Sequence, residues 1–215
     1  MSDERLPDPQ SRRKVLKAGV VGAATVGLAG AGFAAMQTSA GAAVTPMACT
    51  PGTTTIAETE GPYFKANSPL RSNLVTAGVT GVLLNLTGKI YSSASCAGVT
   101  NALLDIWHCD SRGVYDNSGY TCRGHQFTVS GGSYTLNTII PGHYPGRTVH
   151  IHFKAQAPNG AILTSQMYFP DDTQAYGLNF ATINRQDRIR HAQNTITLGA
   201  LSNNTYNGTF DIVVR

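Results

Sequence analysis

Apolar and polar positions alternate along this chain in short runs with the period of strands. Val82 to Tyr91 alternates well enough for one strand. Ala102 to His108 predicts another, with Leu103, Asp105 and Trp107 on one face and Leu104, Ile106 and His108 on the other. His125–Val129 and Ser133–Thr138 flank Ser130-Gly131-Gly132, a hairpin signal. Thr148–Ala155 and Ile162–Phe169 flank Pro158-Asn159-Gly160, a strong one. Tyr206 to Val214 predicts a closing strand with Phe210, Ile212 and Val214 on one face. Asp110-Ser111-Arg112-Gly113 and Pro141-Gly142 are turns. Residues 43–60 are polar and extended, Glu60-Gly61-Pro62-Tyr63-Phe64 is a rigid turn-forming segment, and residues 170–195 allow a short helical turn. Seven or eight short strands with frequent turns predict an all-β fold, an antiparallel β-sandwich with few short helices.

The first 42 residues break this pattern. Ser11-Arg12-Arg13-Lys14-Val15-Leu16-Lys17 resembles a twin-arginine export signal, with Val15 where Phe is usual. An apolar Gly- and Ala-rich stretch follows from Ala18 to Met36, and Ala40 and Ala42 offer a cleavage site. The expectation is a cleaved signal over residues 1–42 and a single secreted domain over 43–215, with no stable membrane association after cleavage. The alternative, an uncleaved anchor, is weakened by the low hydrophobicity of so many Gly and Ala.

Charge sharpens the picture. The chain carries 16 basic and 12 acidic residues. Five and three of these lie in residues 1–42, which leaves 11 basic and 9 acidic in the rest. No basic stripe suggests nucleic acid. Cys49, Cys96, Cys109 and Cys122 all follow the signal, and an even count in an exported chain predicts two disulfides with three possible connectivities. A Cys109–Cys122 bridge would brace the loop carrying Tyr115. A zinc site from these cysteines lacks the usual close pairs.

The candidate chemistry lies on His150 and His152, whose i, i+2 spacing on a strand presents two imidazoles side by side. Tyr144 lies just upstream and Tyr115 on an earlier turn. Imidazole suits several transition metals, whereas phenolate is a hard anionic donor, so two tyrosines with two histidines favour Fe(III). Each residue alone has a structural alternative: a corner or turn tyrosine, an edge-strand histidine pair, a solvated Arg147, a satisfied Gln166, a packed turn at Pro62-Tyr63.

Taken in order, the segments resemble the intradiol ring-cleavage dioxygenases. The segments are Leu104-Asp105-Ile106-Trp107-His108-Cys109-Asp110, Gly113-Val114-Tyr115, Arg123-Gly124, Thr138 to Arg147, His150-Ile151-His152-Phe153, Glu60-Gly61-Pro62-Tyr63 and Gln166-Met167-Tyr168-Phe169. The resemblance implies a dioxygenase/transthyretin-like sandwich and a mononuclear non-haem Fe(III) held by Tyr115, Tyr144, His150 and His152. It implies that Tyr144 also accepts a substrate proton. Arg147 and Gln166 would act on the substrate, and Pro62 and Tyr63 would wall its cavity. The implied partners are a small catecholic substrate and O2, and the product a muconate-type diacid. His143 before the second tyrosine and Gly146 after it depart from the family pattern and leave the choice of catechol open. The helical dimerisation region of catechol 1,2-dioxygenases is absent, so a monomer or homodimer is expected. A non-catalytic β-sandwich module binding aromatics or carbohydrate is the main rival reading, and a zinc or copper enzyme using only the histidines is a third.

Overall fold

A computed structural model describes residues 49–215; the signal and its cleavage position lie outside the described residues. Nine strands form two sheets: β1 (Leu83–Ser92), β2 (Leu103–Trp107), β3 (Arg123–Phe127), β4 (Ser133–Ile139), β5 (His150–Gln156), β6 (Leu163–Tyr168), β7 (Thr197–Leu198), β8 (Thr205–Thr209) and β9 (Ile212–Val214). One sheet runs β4-β1-β8-β7, with β9 also paired to β1; the other runs β3-β2-β5-β6. A short helix, α1 (Phe180–Gln186), interrupts the connection between β6 and β7. Its N-cap is Asn179, whose side chain accepts from the Thr182 backbone N–H.

The alternating pattern explains the core. Leu84, Leu86 and Ile90 from β1, Leu104 and Ile106 from β2, Leu136 from β4, Ile151 and Phe153 from β5 and Met167 from β6 are all buried in one cluster. Phe153 meets Phe210 edge to face, with ring centroids 6.0 Å apart. The other face of the four-stranded sheet carries the polar and aromatic residues: Trp107 on β2, His150 and His152 on β5, and Gln166 and Tyr168 on β6. Cross-strand register lines them up, with Trp107 opposite His152, His152 opposite Gln166, and His150 opposite Tyr168.

That second face is covered by one segment of chain. The Glu58 amide bonds to the Thr164 carbonyl, and the Thr59 carbonyl accepts from Gln166. Gly61 lies against the His152 ring, Phe64 packs edge-on against Trp107 at 4.9 Å, and the Tyr63 carbonyl accepts from Arg123. Residues 58–64 thus strap across β6, β5, β2 and β3 in turn. The strap explains why every residue from His150 to Phe153 is buried, on both faces of the strand.

Several expectations need correction. The Pro158-Asn159-Gly160 hairpin forms as predicted, with β5 and β6 antiparallel. Ser130-Gly131-Gly132 is not a hairpin: it is a tight 3-10 turn that carries the chain from β3 in one sheet to β4 in the other. Gly-rich turn chemistry is the same in both cases; sheet membership is decided by tertiary packing. The closing strand is split at Phe210-Asp211 into β8 and β9, and both pair parallel to β1, so that sheet is mixed. The two-residue β7 has no signature of its own. Of the expected two disulfides one is present, Cys49–Cys96. The Cys109–Cys122 bridge is not: both are buried free thiols, and the Cys109 thiol points at the Gly142 carbonyl. Burial pushes both thiols up to about 12, so they are held neutral. The Tyr115 loop is braced by other contacts. No helix among the described residues is long and apolar enough to cross a membrane.

Candidate metal centre

Four side chains from three segments converge above β5. His150 and His152 extend from the strand itself, Tyr144 from the Pro141–Thr148 loop leading into it, and Tyr115 from the loop between β2 and β3. The His150 Nε2 lies 3.1 Å from the His152 Nε2, and the Tyr144 hydroxyl lies 3.0 Å from that same His150 nitrogen. Tyr115 sits edge-on to Tyr144 at 6.0 Å and tilted to His152 at 6.4 Å. A cleft of about 520 Å³ opens beside Tyr115, Asp110 and Asp116, but Tyr144, His150 and His152 do not line it, so it is not the space where the four meet.

The protonation states follow from the partners. His150 Nδ1 is 2.6 Å from the Thr148 carbonyl, which only accepts, so Nδ1 carries the proton and Nε2 presents a bare lone pair. Burial, with Arg147 nearby, pushes the His150 imidazole down to about 3; burial and its neighbour His150 push His152 to about 2. Both rings are therefore neutral, the form that binds metal. His152 stacks on Trp107, with centroids 5.0 Å apart and planes within 4°.

The donor set fits a metal ion. Two nitrogens about 2.1 Å from one ion lie about 3 Å apart when they subtend a right angle, which is the separation seen. The Tyr115 hydroxyl and His152 Nδ1 are buried with no hydrogen-bond partner among the described residues. Tyr144 is close enough to influence the Tyr115 phenol but does not meet hydrogen-bond geometry with it. Burial raises both phenols above the ordinary tyrosine range, so phenolates form here only if a cation stands beside them. Among the described residues no group of three or more His, Cys, Asp and Glu is placed to hold a metal.

Arg147 is held from two sides. Its Nε donates to the Asp187 carboxylate at 3.0 Å, and its Nη2 donates to Gln166 Oε1 at 2.5 Å. The same Asp187 oxygen accepts from the Thr148 amide at 2.9 Å, which ties Arg147 to the residue that orients His150. Gln166 is locked too, since its Nε2 donates to Thr59 at 2.9 Å. Behind it the Tyr168 hydroxyl contacts Gln166 and donates to Glu58, whose other oxygen accepts from Asn194 at 2.7 Å. Tyr63 stacks on Tyr115 at 4.3 Å and 16°, at the rim, while Pro62 beside it is exposed.

Several residues of this site are absent from the sequence-derived set. Asp187 lies 40 positions after Arg147, and nothing local marks it. Trp107 is legible from its alternation with Asp105, and Tyr168 from its i+2 spacing after Gln166. Arg123, noted in a motif, had no role assigned. Conversely His108, His125 and His143 stay outside the ligand cluster. His108 Nδ1 donates to the Cys109 carbonyl and its Nε2 accepts from Thr138.

A two-sheet β-sandwich whose four-stranded sheet carries two histidines on its outer face, met there by two loop tyrosines, is the fold and site that the comparisons with known proteins match. The family model described as Dioxygenase matches residues 59–215, and the chain belongs to the intradiol ring-cleavage dioxygenases. The dioxygenase domain of a dioxygenase carbohydrate-binding protein fusion from Streptomyces sp. SirexAA-E is 42% identical, with a TM-score of 0.67 over 75% of this chain and 98% of that one. An intradiol ring-cleavage dioxygenase from Tetranychus urticae is 25% identical, with a TM-score of 0.65 over 74% of this chain and 93% of that one. A catechol 1,2-dioxygenase from a Pseudomonas species is 26% identical over 60% of this chain and 51% of that protein. The chain spans about half the length of these curated relatives.

Proposed function

We propose that this protein is an exported, iron(III)-dependent intradiol dioxygenase that opens catechol-type rings between their two hydroxylated carbons, using both atoms of O2 and yielding muconate-type diacids. The observation that carries this reading is the convergence of Tyr115, Tyr144, His150 and His152, with buried donor atoms that have no other partner. Relatives named for catechol and chlorocatechol support the substrate class. The Ser11-Arg12-Arg13-Lys14 motif and the Cys49–Cys96 disulfide support export to an oxidising compartment.

Tyr115, Tyr144, His150 and His152 would hold the iron. Bound iron(III) would supply a Lewis acid that acidifies the substrate hydroxyls, while O2 is the oxidant. The protein's own residues do the rest. Tyr144, carried on the loop before β5, accepts one catechol proton at its phenol oxygen. Arg147 presents its remaining N–H groups, held in direction by Asp187 and Gln166, to the negative charge that develops on the ring. Tyr63, stacked on Tyr115, and Pro62 form the rim that orients the ring and limits water. A pure binding module has no use for two phenols and two neutral imidazoles arranged in this way.

Oxygen uptake by iron-replete protein with catechol tests the reading. One O2 consumed per catechol, with the ultraviolet rise of a muconate, is the expected result. No uptake with catechol, protocatechuate or hydroxyquinol would refute it.

A further inference from the structure

Arg123 opens β3 and is only 1% exposed, so its cation is almost fully out of water. Among the described ion pairs none involves it. An unpaired buried cation is costly, and such a group persists where the surrounding structure depends on it. Its hydrogen bonds go to two backbone carbonyls instead. Nη1 donates to Tyr63 at 2.6 Å and Nε donates to Asp116 at 3.2 Å, while Nη2 has no partner. The Asp116 carboxylate is turned away, accepting from the Ser118, Gly119 and Thr121 amides, so Arg123 meets the carbonyl rather than the charge.

All these contacts surround one side chain. Asp116 is the chain neighbour of Tyr115, Tyr63 is its stacking partner at 4.3 Å, and the guanidinium carbon lies 5.9 Å from the Tyr115 ring centroid. Arg123 is itself fixed, because it pairs with Trp107 across the sheet and its carbonyl accepts from Arg71 at 2.9 Å. We infer that Arg123 is a positioning residue for Tyr115: it clamps the Tyr115 loop to the Tyr63 strap and sets the phenol oxygen for the metal. The inference rests on the iron reading above for its metal arm only. The clamp itself is a property of the chain.

The test compares wild type with Arg123→Met, which keeps length and loses charge and donors, and with Arg123→Lys, which keeps the charge. Four readouts are taken: circular dichroism, amide exchange over residues 113–121 in the metal-free protein, iron loss to a chelator, and the visible tyrosinate band. Arg123→Met should stay folded, exchange those amides at least about tenfold faster, and lose iron at least about tenfold faster. Its band should fall to about half at equal iron content, since the Tyr144 contribution remains. Arg123→Lys should fall between the two. An Arg123→Met protein within about twofold of wild type in both exchange and iron retention overturns the inference. Should Arg123→Met fail to fold, Arg123→Lys decides: wild-type iron retention and band overturn the clamp, intermediate values support it. A wild-type protein with no iron band sinks the metal reading alone, and the exchange arm still decides the clamp.

Discussion

His150 can hold only one tautomer, because its Nδ1 faces a carbonyl that cannot donate. Its Nε2 lone pair is thereby fixed toward Tyr144 and His152, and in the proposed iron-bound form the metal would take the place of the Tyr144 proton. Tyr144→Phe removes that oxygen and leaves the ring packing. It should weaken the visible tyrosinate absorption and slow turnover; unchanged colour and rate would take Tyr144 out of the ligand set. Arg147 differs in kind, since it touches Asp187 and Gln166 but none of the four ligands in a hydrogen bond. Arg147→Ala should keep iron and colour and lose about 100-fold in kcat, the usual effect of removing a preorganised donor. Steady-state kinetics on the iron-replete variant, with wild-type rates as the contradicting result, settle its role.

At the scale of elements, the centre depends on two loops meeting above β5. Gly142, in the Tyr144 loop, lies so close to the Ser111 and Gly113 backbones that a Cβ there overlaps them. Gly142→Ala should therefore push the Tyr115 loop away, costing about 2 kcal/mol or more of stability and weakening iron retention. A chemical-denaturation midpoint and iron content equal to wild type would contradict this. The strap imposes a similar demand: at Gly61, with a φ of 69°, an added Cβ would stand 3.3 Å from the His152 ring.

These elements also show what was legible in advance. The strand alternation located β1, β2, β4, β5 and β6 to within about two residues, because half-buried strands write their faces into the sequence. The i, i+2 histidines and the outward face of Trp107 follow from the same rule. Asp187, the strap's path and the free state of Cys109 and Cys122 were not legible. Each depends on which distant segments pack together, and a local pattern carries no record of that. The split at Phe210-Asp211 belongs here too: both halves pair with β1, and Gly88 of that strand faces the Phe210 carbonyl at a point where no side chain fits.

For the molecule as a whole, burial makes the metal-free protein sensitive to acid. His108 is fully buried and its imidazole is pushed down to about 4, chiefly by desolvation. The unfolded chain takes up that proton below about 6.5, the folded chain only near 4, so stability is full above pH 6.5 and falls as pH drops through this window. The loss is about 3 kcal/mol from His108, and His150 and His152 act in the same direction in the metal-free state. Denaturant midpoints between pH 7 and 4 should fall, and fall less steeply in His108→Asn; identical slopes would exclude His108.

Two tyrosines and two histidines are proposed to hold ferric iron. The visible spectrum of purified protein, with iron quantified on the same sample and catechol added without oxygen, tests it most directly. A red-brown protein with about one iron per chain, whose band shifts when catechol binds, is the expected result. A protein that stays colourless after aerobic iron loading would contradict it.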